Sequence, residues 1–219
     1  MKLSELARNV IFTNPCTLCQ KKLDVSDPSD ACPECMEILR SKMKNGVIQI
    51  NDINIFADKF LFSYSDKDVR NLVLEIKYNR RFKPTRLFAT LAAEAVKNDP
   101  DFPEFDVITH CPRTPHKKRL MGYDHSQMFA KYLAEKLDIP YAELIKRHEG
   151  GKEQKKTKNI KERTQNIQNK FYINKKRSPK GLRVLIVDDI ITSGSTAKAC
   201  AEVLVKAGAM KVMALFILD

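Results

Sequence analysis

The sequence predicts an α/β fold, a mostly parallel sheet flanked by helices, with a small cysteine-rich module at its N-terminus. Three observations predict it. Residues 184–187 and 212–218 are continuous apolar runs, the kind of strand buried on both faces of a parallel sheet. Apolar stripes at helical spacing alternate with strand-like runs along the chain. The first 50 residues stand outside this alternation and carry two cysteine pairs.

The elements follow in order. Residues 60–64 read as a strand. Val69, Leu72, Val73 and Ile76 then fall at i, i+3, i+4 and i+7, one face of a helix. Residues 106–110 read as a short strand stopped by Pro112. Phe129, Ala130, Leu133, Ala134 and Leu137 form a second helical stripe. Residues 183–187 form a strand, and Ala197, Cys200, Ala201, Leu204 and Val205 a third stripe that stops at Gly208. Residues 212–218 close the sheet. The expected division is a four-cysteine module over 1–50 and an α/β domain over 51–219.

Composition limits the function classes. A chain of 219 residues with 43% hydrophobic residues has enough material for one α/β core and an appendage. Seven glycines exclude collagen-like and glycine-rich architectures. No apolar run approaches 18 residues, and the N-terminus lacks a signal peptide's apolar core, so the expected location is cytoplasmic. The formal charge of +12 calls for a polyanionic partner: nucleic acid, an anionic membrane or a phosphorylated ligand. The excess is concentrated. Residues 146–180 hold thirteen Lys or Arg against three Glu, with a Gly150-Gly151 hinge, and read as a mobile loop or basic ribbon between core elements. A smaller cluster comprises Arg113, His116, Lys117, Lys118 and Arg119.

Cys16 and Cys19, then Cys32 and Cys35, form two C-x2-C pairs. Each pair lets two thiolates converge on one ion, and two pairs complete a closed sulfur site for structural zinc. Disulfides or unrelated buried thiols are the alternatives; a cytosolic chain disfavours the first, and two C-x2-C pairs this close rarely arise by chance. The linking loop has no core of its own, so metal would supply its folding energy. Cys111 and Cys200 lack partners at ligand spacing and read as small core or near-site residues. His110, His116, His125 and His148 are scattered and read as structural or solvent-facing.

The densest chemistry is the run from the last buried strand but one. Four apolar residues lead into Asp188 and Asp189; Thr192, Ser193, Gly194, Ser195 and Thr196 follow, and a helix begins. Ligands of open α/β sheets bind beyond the carboxyl ends of strands. Backbone N–H groups of the loop and the helix N-terminus suit an anion, the hydroxyls add donors, and Gly194 permits close backbone approach. The carboxylates suit sugar hydroxyls or Mg²⁺, directly or through water.

This run resembles the phosphoribosyl-pyrophosphate (PRPP) motif of type I phosphoribosyltransferases. The resemblance implies that Asp188 and Asp189 contact the ribose 2′- and 3′-hydroxyls, and that Thr192, Ser193, Gly194, Ser195 and Thr196 cradle the 5′-phosphate. The cysteine module placed before such a domain resembles the ComF family of competence-associated proteins. Other segments agree: FSYSDKDVRNLVLEIKY from Phe62, THCPRTPHKKRLMGYDHSQ from Thr109, and the spacing of Gln154, Arg163, Asn166 and Phe171. One stretch departs. The family's Arg-Gly-Phe-Asn-Gln reads Met121-Gly122-Tyr123-Asp124-His125 here, which implies a different way of recognising an acceptor or anion.

Three functions follow from the resemblance and the charge. The first is handling of single-stranded DNA during natural transformation, at the cytoplasmic side of the inner membrane and beside a helicase-like partner. Lys117, Lys118, Arg119, Lys155, Lys156, Lys158 and Arg163 would track phosphates. Phe171, Tyr172 and Tyr123 are candidate stacking surfaces. The second is phosphoribosyl transfer from PRPP with Mg²⁺ and release of pyrophosphate. Arg113 would contact the pyrophosphate, and the basic segment would close over the site. The third joins them, with PRPP as a ligand coupled to DNA affinity.

Overall fold

The computed structural model describes residues 14–24, 30–44, 46–48, 55–79, 82–149, 170–191 and 194–219. The N-terminal part begins with an antiparallel pair, β1 (Asn14–Pro15) and β2 (Lys22–Leu23). Helix α1 (Pro33–Lys42) follows, with Pro33 at its start, Glu34 in its first turn, and Arg40 and Lys42 in its last. These choices suit the helix dipole and the missing proline N–H.

The main sheet has the order β3-β4-β9-β8-β5 among the described residues. Its strands are β3 (Gly46–Ile48), β4 (Ile55–Phe62), β5 (Val107–His110), β8 (Arg183–Ile190) and β9 (Lys211–Leu218). β4, β9, β8 and β5 pair in parallel, and β3 runs antiparallel at the edge. The parallel sheet flanked by helices is the fold class the sequence predicts. β3, at the end of the first 50 residues, is part of this sheet. β4 spans 55–62 where the sequence suggests 60–64, because the chain turns at Tyr64 and Ser65.

The sheet separates two apolar clusters, and the residues of β8 and most of β9 alternate between them. Leu185, Val187, Met213, Leu215 and Ile217 face one cluster. Val184, Ile186, Val212, Ala214 and Phe216 face the other. Both faces are therefore covered, which is why these strands are apolar throughout. The first face carries α2 (Lys67–Asn79), α3 (Lys83–Lys97) and α5 (His125–Leu137). The second carries α6 (Ser195–Lys206) and an antiparallel ribbon of β6 (Ile145–Arg147) and β7 (Phe171–Ile173). A short helix, α4 (Pro115–Met121), joins β5 to α5 and has no buried residue.

Helix α3 has no counterpart among the stripes read from the sequence. Its buried set is Pro84, Thr85, Leu87, Phe88, Ala89, Leu91, Ala92 and Ala93. The opposite side carries Arg86, Thr90, Glu94 and Lys97 at i, i+4, i+8 and i+11, so the helix is amphipathic and its apolar side is open to the same reading. α3 packs against α5, and both helices bury alanines: Ala89, Ala92 and Ala93 on α3, Ala130 and Ala134 on α5.

The cysteine-bearing segment is fastened to this body. Cys16, Cys32, Cys35 and Leu39 belong to the same apolar cluster as α2, α3 and α5. Arg86 of α3 grips Asp30 through two contacts, 3.0 and 2.5 Å. Arg40 of α1 grips Glu94 through two contacts of 2.9 Å. At the far side, Arg183 and Asp106 lock the start of β8 to the start of β5, at 2.7 Å for Nη2 to Oδ1. That contact holds the Asp106 carboxyl down at about 2.

Candidate functional site

β8 continues through the acidic pair: Asp188 pairs with Phe216 and Ile190 with Leu218. The two carboxylates therefore sit on a strand, with side chains on opposite faces. Asp188 turns inward. Its Oδ1 accepts from Ser126 Oγ at 2.6 Å and from the Asp189 amide at 2.9 Å. Burial, and then the neighbouring Asp189 charge, push the Asp188 carboxyl up to about 7 against those two donors. Cys111 and Cys200 are both buried. The neighbouring Cys200 thiol and burial raise the Cys111 thiol.

Asp189 faces three basic side chains from three elements. Lys77 Nζ of α2 is 3.0 Å from its Oδ2, His125 Nε2 of α5 is 3.6 Å away, and Arg113 Nη2 is 4.0 Å away. Yet this buried oxygen has no partner in hydrogen-bond geometry among the described residues. His125 is 2% exposed, and neither ring nitrogen has a hydrogen-bond partner there either. Burial, then the Arg113 charge, lower its pKa to about 4, so the ring is neutral near pH 7.

Asp124 organises the approach. Its carboxylate caps α5 through the Gln127 amide at 3.4 Å and accepts from the Arg113 amide at 3.1 Å. The loop after β5 is thereby tied to the helix that carries His125 and Ser126. Cys111 N donates to Val187 O at 3.1 Å and holds the same loop against β8. Behind Asp124, buried His110 meets Tyr141 through Nδ1 at 3.1 Å, and burial lowers its pKa. Tyr123 donates to the Ile76 carbonyl at 2.6 Å and stands edge-on to both Phe82 and His125.

Of the residues predicted for PRPP, Asp188, Asp189 and Arg113 come together. Gly194 starts α6 in the left-handed conformation, φ 65°, with no side-chain cap on the helix. A side chain at that φ would be strained, and an uncapped N-terminus suits a phosphate. Ser195 and Thr196 form the first turn of α6. Thr192 and Ser193 lie outside the described residues.

Of the residues predicted for nucleic acid, Lys117, Lys118 and Arg119 ride on α4. Lys118 is 3.2 Å from Gln127 Oε1 and 3.9 Å from Glu143, and Arg119 pairs with Glu149. Lys155, Lys156, Lys158 and Arg163 lie outside the described residues, as do Gly150 and Gly151. The two described ends of the basic stretch are the strands β6 and β7. Phe171 is buried, so it offers no stacking face. Tyr172 is exposed and stacks on His148 at 4.3 Å. Arg147 lies over the Phe171 ring at 5.1 Å, and burial lowers its pKa.

The four N-terminal thiols cluster within 4.8 Å of one another. A zinc tetrahedron with Zn–S near 2.3 Å has an edge of about 3.8 Å. The Cys19–Cys32 sulfur separation is 3.8 Å. Burial disfavours the Cys16 thiolate, but amide donors from Cys19, Cys32 and Leu18 outweigh it and bring the thiol to about 6. The segment therefore fits a small zinc module. For Mg²⁺ the chain offers two carboxylates, one already engaged by two donors. That is too few oxygens for a protein-only cage and fits an ion carried by ligand phosphates.

Residues 124–219 match the family model described as the phosphoribosyl transferase domain. The fold is that of a type I phosphoribosyltransferase. No curated protein matches the chain. Among solved structures it is similar to an allosteric regulatory enzyme of purine biosynthesis, at 23% identity and TM-score 0.43, over 61% of this chain and 26% of that one. It is similar to the glutamine PRPP amidotransferase of B. subtilis, at 22% and 0.46, over 66% and 30%. It is also similar to the adenine phosphoribosyltransferase of Saccharomyces cerevisiae, at 18% and 0.42, over 85% and 89%. The chain spans less than a third of the first two. Within the described residues, no helix is long and apolar enough to cross a membrane.

Sequence reasoning missed two members of this site. Lys77 ends the helical stripe read from Val69, but periodicity does not say which strand its ammonium meets. His125 has no partner in sequence and acquires one only when α5 docks on β8.

The raised Asp188 carboxyl makes a pH prediction. A folded-state value above the unfolded one stabilises fully below the unfolded pKa of 3.8 and loses that stability as pH rises to about 7. Asp188→Asn keeps the acceptor for Ser126 and lacks the titration. Subtracting wild type from variant cancels the opposing contribution of the buried histidines. The difference in unfolding free energy should grow in the variant's favour by up to about 2 kcal/mol between pH 5 and pH 8, measured by urea denaturation. A pH-independent difference would contradict the burial of this carboxyl.

Proposed function

We propose that this protein binds PRPP, or a related ribose 5-phosphate with Mg²⁺, and handles single-stranded DNA in the cytoplasm during natural transformation. The observation that carries the ligand half is the meeting of Asp188, Asp189 and Arg113 at the carboxyl end of β8, ahead of the Gly194-started helix. Asp189 Oδ2 suits a ribose hydroxyl, which supplies the hydrogen bond this buried oxygen lacks. The N-terminus of α6 suits the 5′-phosphate, with Thr192 and Ser193 as further donors. Mg²⁺ would supply charge neutralisation on the pyrophosphate. Zinc would fill the four-cysteine module as a closed, structural ion.

The DNA half rests on the ComF-like organisation and on charge. Lys117 and Tyr172 supply an exposed cation and an exposed ring on the side of α4 and the β6–β7 ribbon. Lys155, Lys156, Lys158 and Arg163 would extend this basic track. A helicase-like protein at the inner membrane is the partner such a role requires.

A second reading is phosphoribosyl transfer: an acceptor attacks C1 of the ribose, the bond to pyrophosphate breaks, and pyrophosphate leaves with its electron pair. Arg113, tied to Asp124 and within 4.0 Å of Asp189, favours this reading because a cation there meets the departing charge. Release of pyrophosphate with a panel of nucleobases separates transfer from binding alone.

The test of the first reading is oligonucleotide affinity across a salt series, with and without PRPP and Mg²⁺. Single-strand binding altered by PRPP supports a coupled site, and no binding at modest salt removes DNA from the function. Reversing Lys155, Lys156 and Lys158 to Glu should lower the log–log salt slope by about 2, near 0.7 per lost phosphate contact. An unchanged slope would take the segment out of the nucleic-acid interface.

A further inference from the structure

A cavity of about 460 Å³ lies between the Cys16 turn, α2 and the start of α3. Asn71, Leu72 and Glu75 line it from α2. Lys77, two residues past Glu75, points across the helix and reaches Asp189 at 3.0 Å. The helix, about 10 Å across, therefore stands between this cavity and the carboxylates at the end of β8.

The walls are held in place by contacts outside the cavity. Phe82, at the N-cap of α3, lines it with a ring that is 42% exposed. An edge-on contact with Tyr123, 5.1 Å between centroids, fixes that ring. Lys83 donates to the Pro15 carbonyl at 3.2 Å and to Asn14 Oδ1, which ties the start of α3 to the cysteine segment. Gln20, also in the lining, follows Cys19 in the left-handed conformation, φ 62°, where glycine is the favoured residue. The turn uses its backbone, whose N–H donates to the Cys16 carbonyl at 3.1 Å. The side chain adds one long contact, Nε2 to the Thr17 carbonyl at 3.4 Å. A position that suits glycine thus carries an exposed amide at the cavity.

The lining selects a ligand class. The Phe82 face suits a planar ring. The amides of Gln20 and Asn71 each offer donors and an acceptor, and Glu75 offers a carboxylate acceptor. The two charged residues of the lining, Glu75 and Lys83, are of opposite sign. An uncharged, planar heterocycle with donors and acceptors along its edge matches this set, and a nucleobase is such a heterocycle.

We propose that this cavity is a nucleobase pocket, filled by a base of a single strand whose phosphates run outside it. The intervening helix keeps such a base away from the ribose position, so the pocket is not the acceptor site of the transfer reading. The inference is independent of the ribose-phosphate reading. It rests on the nucleic-acid reading only for the source of the base.

The experiment measures binding of a labelled oligodeoxycytidine hexamer and of an abasic hexamer with the same phosphates, by fluorescence anisotropy on the full chain, and of free deoxycytidine by titration calorimetry. The cytosine hexamer should bind about tenfold more tightly than the abasic one, the size of one base stacked on an aromatic ring. Phe82→Ala should remove that advantage and leave the abasic affinity unchanged. Gln20→Gly deletes the amide at a position that favours glycine, so it should keep the thermal transition and still lower cytosine-hexamer affinity severalfold. PRPP affinity should be unchanged in both variants. Equal affinity for the two hexamers, or variants that bind the cytosine hexamer as wild type does, overturns the pocket while leaving phosphate-based DNA binding intact. Deoxycytidine binding that both variants weaken, without hexamer binding, upholds the pocket for a free nucleoside and removes DNA from the function. A folded chain that binds neither hexamer nor deoxycytidine overturns both.

Discussion

Asp188→Ala combined with Asp189→Ala should abolish PRPP binding and leave the protein folded. Each carboxylate is proposed to take a hydroxyl of the ribose, and a hydrogen bond to a charged group is worth about 1.5–3 kcal/mol. Losing two gives a fall of roughly two to four orders of magnitude in affinity. The fold should survive because neither carboxylate is part of the apolar packing. Asp188 carries a desolvation cost that its removal relieves, as its pKa near 7 records. Lys77 and Arg113 lose their common counter-charge but keep 19% and 23% of their side-chain surface in water. Calorimetric titration with PRPP and Mg²⁺ reads the first half, and the thermal transition reads the second. Undiminished PRPP affinity in a folded variant would remove the acidic pair from the ligand site.

The legible parts of this site are those in which chemistry and chain order coincide. Asp188, Asp189 and Gly194 lie within seven residues, so the end of the strand, the acids and the start of the helix announce one another. The buried strands are legible for the same reason: residues 184–187 and 212–218 must satisfy two covered faces and so contain no polar residue. Lys77 and His125 are illegible because their partner is supplied by topology. Their meeting with Asp189 requires α2 and α5 to sit on the same face of the sheet as the end of β8, and a local window carries no such information. Helix α3 is hidden for another reason. Its apolar side includes the alanines Ala89, Ala92 and Ala93, which mark a buried face less plainly than larger side chains do. The stacking candidates divide by strand alternation: Phe171 faces the core while its neighbour Tyr172 faces out, and a sequence alone does not say which of two adjacent aromatics is inside.

Cys16→Ser, or removal of metal by a chelator, is expected to destabilise the whole chain rather than the N-terminal segment alone. Zinc binding to small four-ligand modules supplies about 10–16 kcal/mol of apparent folding free energy, because the apo segment has too little core to fold. Here Cys16, Cys32 and Cys35 are also buried members of the apolar cluster beneath α2 and α3. Without metal their mutual approach becomes a cluster of thiols in which ionising one raises its neighbours, as the raised Cys35 thiol shows once burial has acted. The ties to the body would loosen with it: Asp30 with Arg86 at 2.5 Å lies just before the second cysteine pair, and α1, which starts after Cys32 and contains Cys35, carries Arg40 to Glu94 at 2.9 Å. A loss of about 3–5 kcal/mol in a chain of this size corresponds to a fall of roughly 10–15 °C in the thermal transition. Metal analysis should find one zinc per chain in wild type and a deficit in Cys16→Ser, and calorimetry should show the two transitions apart. If instead a zinc-free wild type melted at the same temperature, the thiols would be held together by the packing of α1 against α3, and the module would owe its fold to the phosphoribosyltransferase-like domain rather than to a metal.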